Sequence, residues 1–222
     1  FCRSLGVGVP QLKVRGTVAR TAPCENVLEG NLFDERLGIR RRQDGGLTLA
    51  HGTILQHPIT PSTFRWGFKF LPALMQELKV LRLSFGKEFF EEWRQPATWD
   101  LDTVSPFEKT RVLNPEPSAK VLKGIRRNLD TMFPQLADTP IVESWAGMVE
   151  TSPDVVPMIG PVVGRPGFYI ATGFSGHGFG LGPGAGKAIA GMLTNTDTGI
   201  DISALRLGRF FDGSPIKPQS TI

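Results

Sequence analysis

Gly167-Phe168-Tyr169-Ile170-Ala171-Thr172-Gly173-Phe174-Ser175-Gly176-His177-Gly178-Phe179-Gly180-Leu181-Gly182-Pro183-Gly184-Ala185-Gly186-Lys187 is the stretch that decides the reading of this chain. It opens with a short apolar run, Gly167 to Thr172, of the kind that forms a strand. The next fourteen residues, Gly173 to Gly186, hold seven glycines. Lys187-Ala188-Ile189-Ala190-Gly191-Met192-Leu193 is helix-forming. The predicted order is therefore strand, glycine-rich loop, helix. The helix should begin between Gly178 and Gly184 and run through Lys187 and Met192, with Pro183 in a first turn that does not need its N–H. Glycines let a backbone approach a flat or anionic ligand closely, and a following helix points free N–H groups back at it. Neither familiar nucleotide motif is completed. No Gly-x-Gly-x-x-Gly register closes, and a phosphate loop ending at Gly186-Lys187 would need glycine where Leu181 stands and Ser or Thr where Ala188 stands. Composition alone leaves two readings open: a ligand-approach loop, or a helix entrance whose glycines serve only tight packing on a sheet.

Outward from that loop, Ile141 to Val149 reads as a strand and Thr151 to Pro157 as a proline-rich bend. Toward the N-terminus, Gln11 to Ala22 alternates apolar with polar residues (Leu12, Val14, Val18), the pattern of one long or two short strands. Arg36 to Ala50 sets Leu37 and Ile39 before Asp44-Gly45-Gly46, and Leu47 and Leu49 after it. That arrangement predicts a β-hairpin, because glycine accepts positive φ in the turn. Between His51 and Trp99 the spacing turns helical (Leu71, Leu74, Met75, Leu78, then Phe85, Phe89, Trp93), predicting two helices with a bend near Gly86. Thr98 to Pro117 reads as a connecting loop or an edge strand. Ser118 caps a further helix with a core face of Val121, Leu122, Ile125, Leu129 and Met132, ended by Pro134. Phe1 to Leu5 reads as a last helical turn stopped at Gly6-Val7-Gly8, so the chain is expected to be a portion of a longer protein.

With 222 residues, 40% hydrophobic and 21% charged, the chain can bury one good core or two small ones, as a folded soluble protein does. Apolar runs such as Val155 to Ile159 are far too short to span a bilayer, and Phe1-Cys2-Arg3-Ser4 lacks a signal peptide's apolar stretch. The two cysteines, Cys2 and Cys24, have neither disulfide-framework nor metal-ligand spacing, which points to no metal and to a reducing cytoplasm as the expected location. A net charge of +4 would permit nucleic-acid binding, but outside Arg40-Arg41-Arg42 and Arg126-Arg127 the positive charge is scattered. No nucleic-acid partner is expected on that pattern.

The run from Trp145-Ala146-Gly147-Met148-Val149-Glu150 through Ser152-Pro153-Asp154 and Pro157-Met158-Ile159-Gly160, followed by Gly167 to Lys187, resembles the flavin-dependent D-amino-acid-oxidase superfamily. That group includes glycine and sarcosine oxidases and D-amino-acid dehydrogenases. The shared pattern is a Trp-Ala/Gly-Gly entry, a Pro-Asp, a Pro-x-Ile-Gly and an Ala-Thr-Gly strand before a glycine-rich helix start. The Val14-Arg15-Gly16 strand and the Arg41 to Leu49 hairpin are similar to that family's substrate-domain sheet, so the likeness covers essentially the whole chain. The implied fold class is α+β: an antiparallel substrate-domain sheet with flanking helices, plus the C-terminal part of a FAD-binding domain whose N-terminal Rossmann-type segment is missing. Residues 1–9 would be a tail of the FAD-binding domain, 10–143 the substrate-binding domain, and 144–222 the return into the FAD-binding domain. The implied activity is oxidation of the C–N bond of a small amino acid or secondary amine. A hydride would pass to flavin N5, and water would hydrolyse the imine left behind.

By the same resemblance, Gly173, Phe174, Ser175, Gly176, His177, Gly178, Phe179 and Gly180 would contact the isoalloxazine of FAD. The helix after them would aim its N–H groups at the N1 and C2-carbonyl edge, where reduced flavin is negative. His177 either faces flavin or substrate or merely shapes the loop as a donor. Two departures matter. The family's dinucleotide fingerprint has no counterpart, so this chain alone is expected to hold FAD weakly or not at all, with the adenine contacts coming from a missing N-terminal segment or a partner subunit. Where oxidases of the group place a carboxylate-binding arginine, this chain reads Met148-Val149-Glu150. Arg40, Arg41 and Arg42 are the candidate replacements for substrate binding, since a guanidinium suits a carboxylate bidentately. The alternative is a solvated edge strand whose charges deter pairing. Trp145 either walls the substrate pocket or lies in the core, and Asp154 is expected to shape a turn. No catalytic side chain is identified, because a neutral amine can lose hydride to a well-positioned flavin. A non-catalytic scaffold without its own flavin remains the second reading.

Overall fold

The computed structural model describes residues 1–77, 81–100 and 102–219. Strand β1 (Leu12–Thr21) is the spine of a seven-stranded sheet. Strand β7 (Ile141–Thr151) runs antiparallel along one edge of β1 for its whole length, from Leu12 opposite Thr151 to Thr21 opposite Ile141, with an irregularity at Arg20/Thr21. The other edge is shared. Strand β4 (Leu47–Ala50) pairs with Val18–Arg20, and β5 (Leu55–Pro58) pairs at Arg15. Strands β3 (Gly38–Arg41) and β2 (Asn31–Phe33) continue outward from β4, and β6 (Leu81–Ser84) lies parallel to β5. The sheet is thus antiparallel except at β5–β6, with helices flanking it.

The alternation read in the hairpin is realised. Leu37, Ile39, Leu47 and Leu49 form one buried face, and α4 (Ala119–Met132) lays Val121, Ile125 and Leu129 onto it. Burying a leucine or isoleucine completely is worth about 1.5–3 kcal/mol. Ser118 caps α4 by accepting from Val121 N, while its own N–H donates to Thr17 Oγ1 on β1 at 3.1 Å. One side of the β1/β7 ladder therefore faces α4. The turn closes as expected, with Gly45 at φ +83° and the Asp44 carboxylate accepting from Gly46 N at 3.0 Å.

The stretch from His51 to Trp99 holds the two expected helices, α1 (Pro61–Glu77) and α2 (Lys87–Arg94), but also β5 and β6, which helical spacing did not suggest. The expectation for Leu78 falls outside the described residues. Within the expected loop, Ser105 and Glu108 form a capping box that nucleates α3 (Pro106–Lys109). Strands β8 (Met158–Pro161) and β9 (Tyr169–Thr172) make a separate two-stranded hairpin on which α5 (Gly178–Thr194) rests. Its core joins Met158, Val162 and Ile170 to Leu207 and Phe210 of the C-terminal segment. Helix α1 is tied to that segment by Lys69 Nζ donating to the Phe210 carbonyl and by Trp66 edge-on to Phe211.

Candidate functional site

Strand β9 delivers the chain to Gly173, whose φ of +76° and surroundings admit no side chain. An added Cβ would meet Met158 Cε at 2.7 Å and Ser152 Cβ at 3.5 Å. The loop after it is pinned to β7 and the bend beyond. Phe174 N donates to Glu150 Oε1 at 3.1 Å, Ser152 N donates to Ser175 Oγ at 3.2 Å, and Ser175 Oγ donates to the Gly173 carbonyl. Ser175 sits at φ +51° and Gly176 at φ +88°, the latter facing Val149 Cγ1. His177 is an exposed N-cap residue without a side-chain capping bond.

Helix α5 begins at Gly178, the early end of the expected range. Pro183 consequently lies in the second turn, not the first, and removes the donor that the Phe179 carbonyl would have had. Ala185, Ala188 and Gly191 are buried. At Gly180, Gly182, Gly184 and Gly186 an added Cβ would meet nothing within 4 Å. Gly180 and Gly184 share one face of α5 and Gly182 and Gly186 the opposite one. In the first turn Gly180 N and Leu181 N both donate to the His177 carbonyl, leaving Gly178 and Phe179 ahead of the first helical bond. Phe179 and Leu181 stand exposed.

The bend from Thr151 to Pro157 is locked by an ion pair that sequence reasoning missed. Arg209, from the C-terminal segment, donates to both oxygens of Asp154 at 2.7 and 3.0 Å, with both side chains about nine-tenths buried. Arg209 also donates to the carbonyls of Val156, Leu205 and Arg206, and its guanidinium lies over the Phe210 ring. Asp154 further accepts from Val156 N, so it does shape a turn, in which Val155 takes φ +63°. Ser152, beside this clamp, is the residue that holds Ser175.

The three hairpin arginines are not brought to the glycine segment. That segment meets the end of β7 from Val149 and the following Ser152, level with Leu12 to Val14 on β1; the hairpin joins β1 at Val18–Arg20. Six residues along a strand is about 20 Å. Each of two arginines also has its own local partner. Arg42 donates to Asp44 at 2.8 Å, which pulls the Asp44 carboxyl down to about 2, and Arg41 donates to the carbonyls of Cys24 and Glu25. Arg40 is exposed on β3, an interior strand, between Asn31 of β2 and Thr48 of β4. The arginine strand and the glycine loop therefore stand at different levels of the sheet. Trp145 is 38% exposed and lies opposite Val18, on the side of β7 away from α4, so it is not a core tryptophan.

Among the described residues no group of three or more His, Cys, Asp or Glu is placed to hold a metal, and no helix is long and apolar enough to cross a membrane. A family model, FAD dependent oxidoreductase, matches residues 1–192. L-amino acid deaminase from Proteus myxofaciens, in complex with anthranilate, superposes with a TM-score of 0.87 at 29% identity, covering 95% of this chain and 47% of its own. The L-amino acid deaminase from Proteus vulgaris gives 0.86 at 25% identity, covering 94% and 48%. Glycine oxidase of Pseudomonas aeruginosa is 32% identical over 97 residues, 44% of this chain and 25% of that enzyme. The chain spans about half the length of these deaminases, and a smaller part of the oxidase is matched.

Proposed function

Because the chain belongs to the family of FAD dependent oxidoreductases, we propose that the whole protein oxidises the C–N bond of an amino acid or a secondary amine acid, with the glycine segment Gly173 to Gly180 as the wall against the flavin ring. The observation that carries this is the open face at the start of α5. Gly180 and Gly184, one turn apart, leave open space where side chains would stand, next to a helix start whose positive dipole end suits a negative ring edge. A flat cofactor fits such a surface, and filling it with Cβ atoms would exclude one.

Bound flavin would supply the two-electron acceptor that takes a hydride from the carbon bearing nitrogen, leaving an imine for water to hydrolyse. This chain's residues would orient and exclude water. The Glu150 and Ser152 bonds hold the loop, and the Asp154–Arg209 clamp fixes the bend from which Ser152 reaches it. In this reading residues 1–9 and 144–222 go with the flavin-binding part and 10–143 with substrate binding, β7 being the strand they share. The distance along the sheet given above favours a carboxylate partner other than the Arg40 to Arg42 strand. The test is anaerobic addition of amino acids to the full-length protein: bleaching of the flavin absorbance with a keto acid formed supports the reading. A flavin-loaded protein that no amino acid or secondary amine acid bleaches would overturn it.

A further inference from the structure

Gly16 of β1 and Gly147 of β7 lie directly opposite each other in the central ladder of the sheet. Glycine in a strand interior weakens it, and a facing pair does so twice, unless something must come close to the backbone there. Neither residue has a positive φ, so the backbone does not require glycine. Nor does this chain crowd them, since an added Cβ at either would meet no atom within 4 Å. The space they leave is open on the side away from α4, because the neighbouring Thr17 and Ala146 are buried and Thr17 bonds to the α4 cap.

Directly opposite residues share a face, so the notch has defined walls. Val14 and Val149 stand at one end, and Val18 and Trp145 at the other. The Val149 end adjoins the glycine segment, at 3.7 Å from the position of a Gly176 Cβ. Beyond Trp145 the face ends in an ion pair, Arg20 to Glu143 at 2.6 Å. The trench is apolar on both walls and starts beside the loop assigned to the flavin.

We propose that the Gly16–Gly147 notch receives the side chain of the amine substrate, that this side chain is large and apolar, an aromatic ring being the best match to the flat floor, and that the two glycines are specificity-determining residues. This rests on the flavin assignment above. A charged side chain would find no partner between the valine and tryptophan walls.

The test uses the full-length protein and its Gly147→Val and Gly16→Val variants. Valine is a strong strand former, so both should keep the fold. Three quantities are read: flavin per chain, and the Kd values of 2-aminobenzoate and of acetate from the change each makes in the flavin spectrum. Filling the notch should cut the preference for the aromatic acid over acetate by on the order of 100-fold, the scale on which a hydrophobic pocket discriminates by a few carbons. An unchanged ratio overturns the proposal. Loss of flavin or a collapse of Tm in both variants also overturns it, since protein rather than substrate would then fill the notch. A wild-type protein without flavin would instead remove the assignment on which the notch rests.

Discussion

Helices α4 and α1 carry apolar residues at the same helical spacing, yet they end in opposite environments. Helix α4 buries Val121, Ile125 and Leu129 against the hairpin. Helix α1 presents Phe64, Phe68, Leu71 and Met75 along one stripe, with Phe68 93% exposed, and α2 adds Phe90 and Trp93. Period says that a helix has an apolar face; it does not say whether the cover for that face lies within the same chain. For α4 the cover is the hairpin folded onto it. For the α1 stripe no cover is present among the described residues, and contiguous exposed apolar surface of this kind marks a contact with something else.

The sharpest break between covered and uncovered regions is expected at the buried clamp. Arg209→Ala leaves Asp154 charged, buried and short of its partner, and should destabilise the chain by about 3–5 kcal/mol in denaturant unfolding. A loss under about 1 kcal/mol would mean that the bend holds without it. Next, Leu129→Ala in α4 should cost about 2–5 kcal/mol through transfer and cavity terms. Phe68→Ala in α1 should change stability by no more than about 0.5 kcal/mol. Similar costs at the two sites would erase the contrast between the helices.

A smaller effect should follow pH. His57 is buried, with Nδ1 2.6 Å from the Lys13 carbonyl and Nε2 2.9 Å from Thr63 Oγ1. A carbonyl can only accept, so Nδ1 carries the proton and Nε2 accepts from Thr63. Burial pushes the His57 pKa below the ordinary imidazole value, outweighing the opposite pull of the Lys13 carbonyl and Glu92. The unfolded chain therefore takes up a proton more readily. The contribution of neutral His57 is complete above pH about 6.5 and is lost as pH falls below it. The Tm gap between wild type and His57→Gln should accordingly be wider at pH about 8 than at about 5. A gap that widens on acidification would reverse the assignment.

What was legible in the sequence follows the same division. The hairpin and α4 could be read because alternation in Leu37 to Leu49 and helical spacing in Val121 to Leu129 each met a partner that satisfied them. The glycine loop could be read because Gly173 occupies a backbone conformation and a space that only glycine tolerates. Strands β5, β6 and β8 were not legible: each is four residues long, and β8 contains both a glycine and a proline. The arginine run looked like a site because like charges stood together, whereas Asp44, two residues on, had already claimed Arg42. Asp154 and Arg209 are 55 residues apart, and Gly16 and Gly147 become neighbours only through strand register. No local pattern records either pairing.

The central proposal is that the open Gly180–Gly184 face at the start of α5 is the wall for the flavin. Its most direct test is the flavin content per chain of the full-length protein and of its Gly180→Val variant, each purified without added cofactor. Gly180 has open space around its missing side chain, so valine there does not disturb the packing of this chain. The expected result is about one flavin per chain in the wild type, as the family's cofactor chemistry requires, and far less in the variant. A colourless wild type, or a variant that keeps its full complement, would contradict the account.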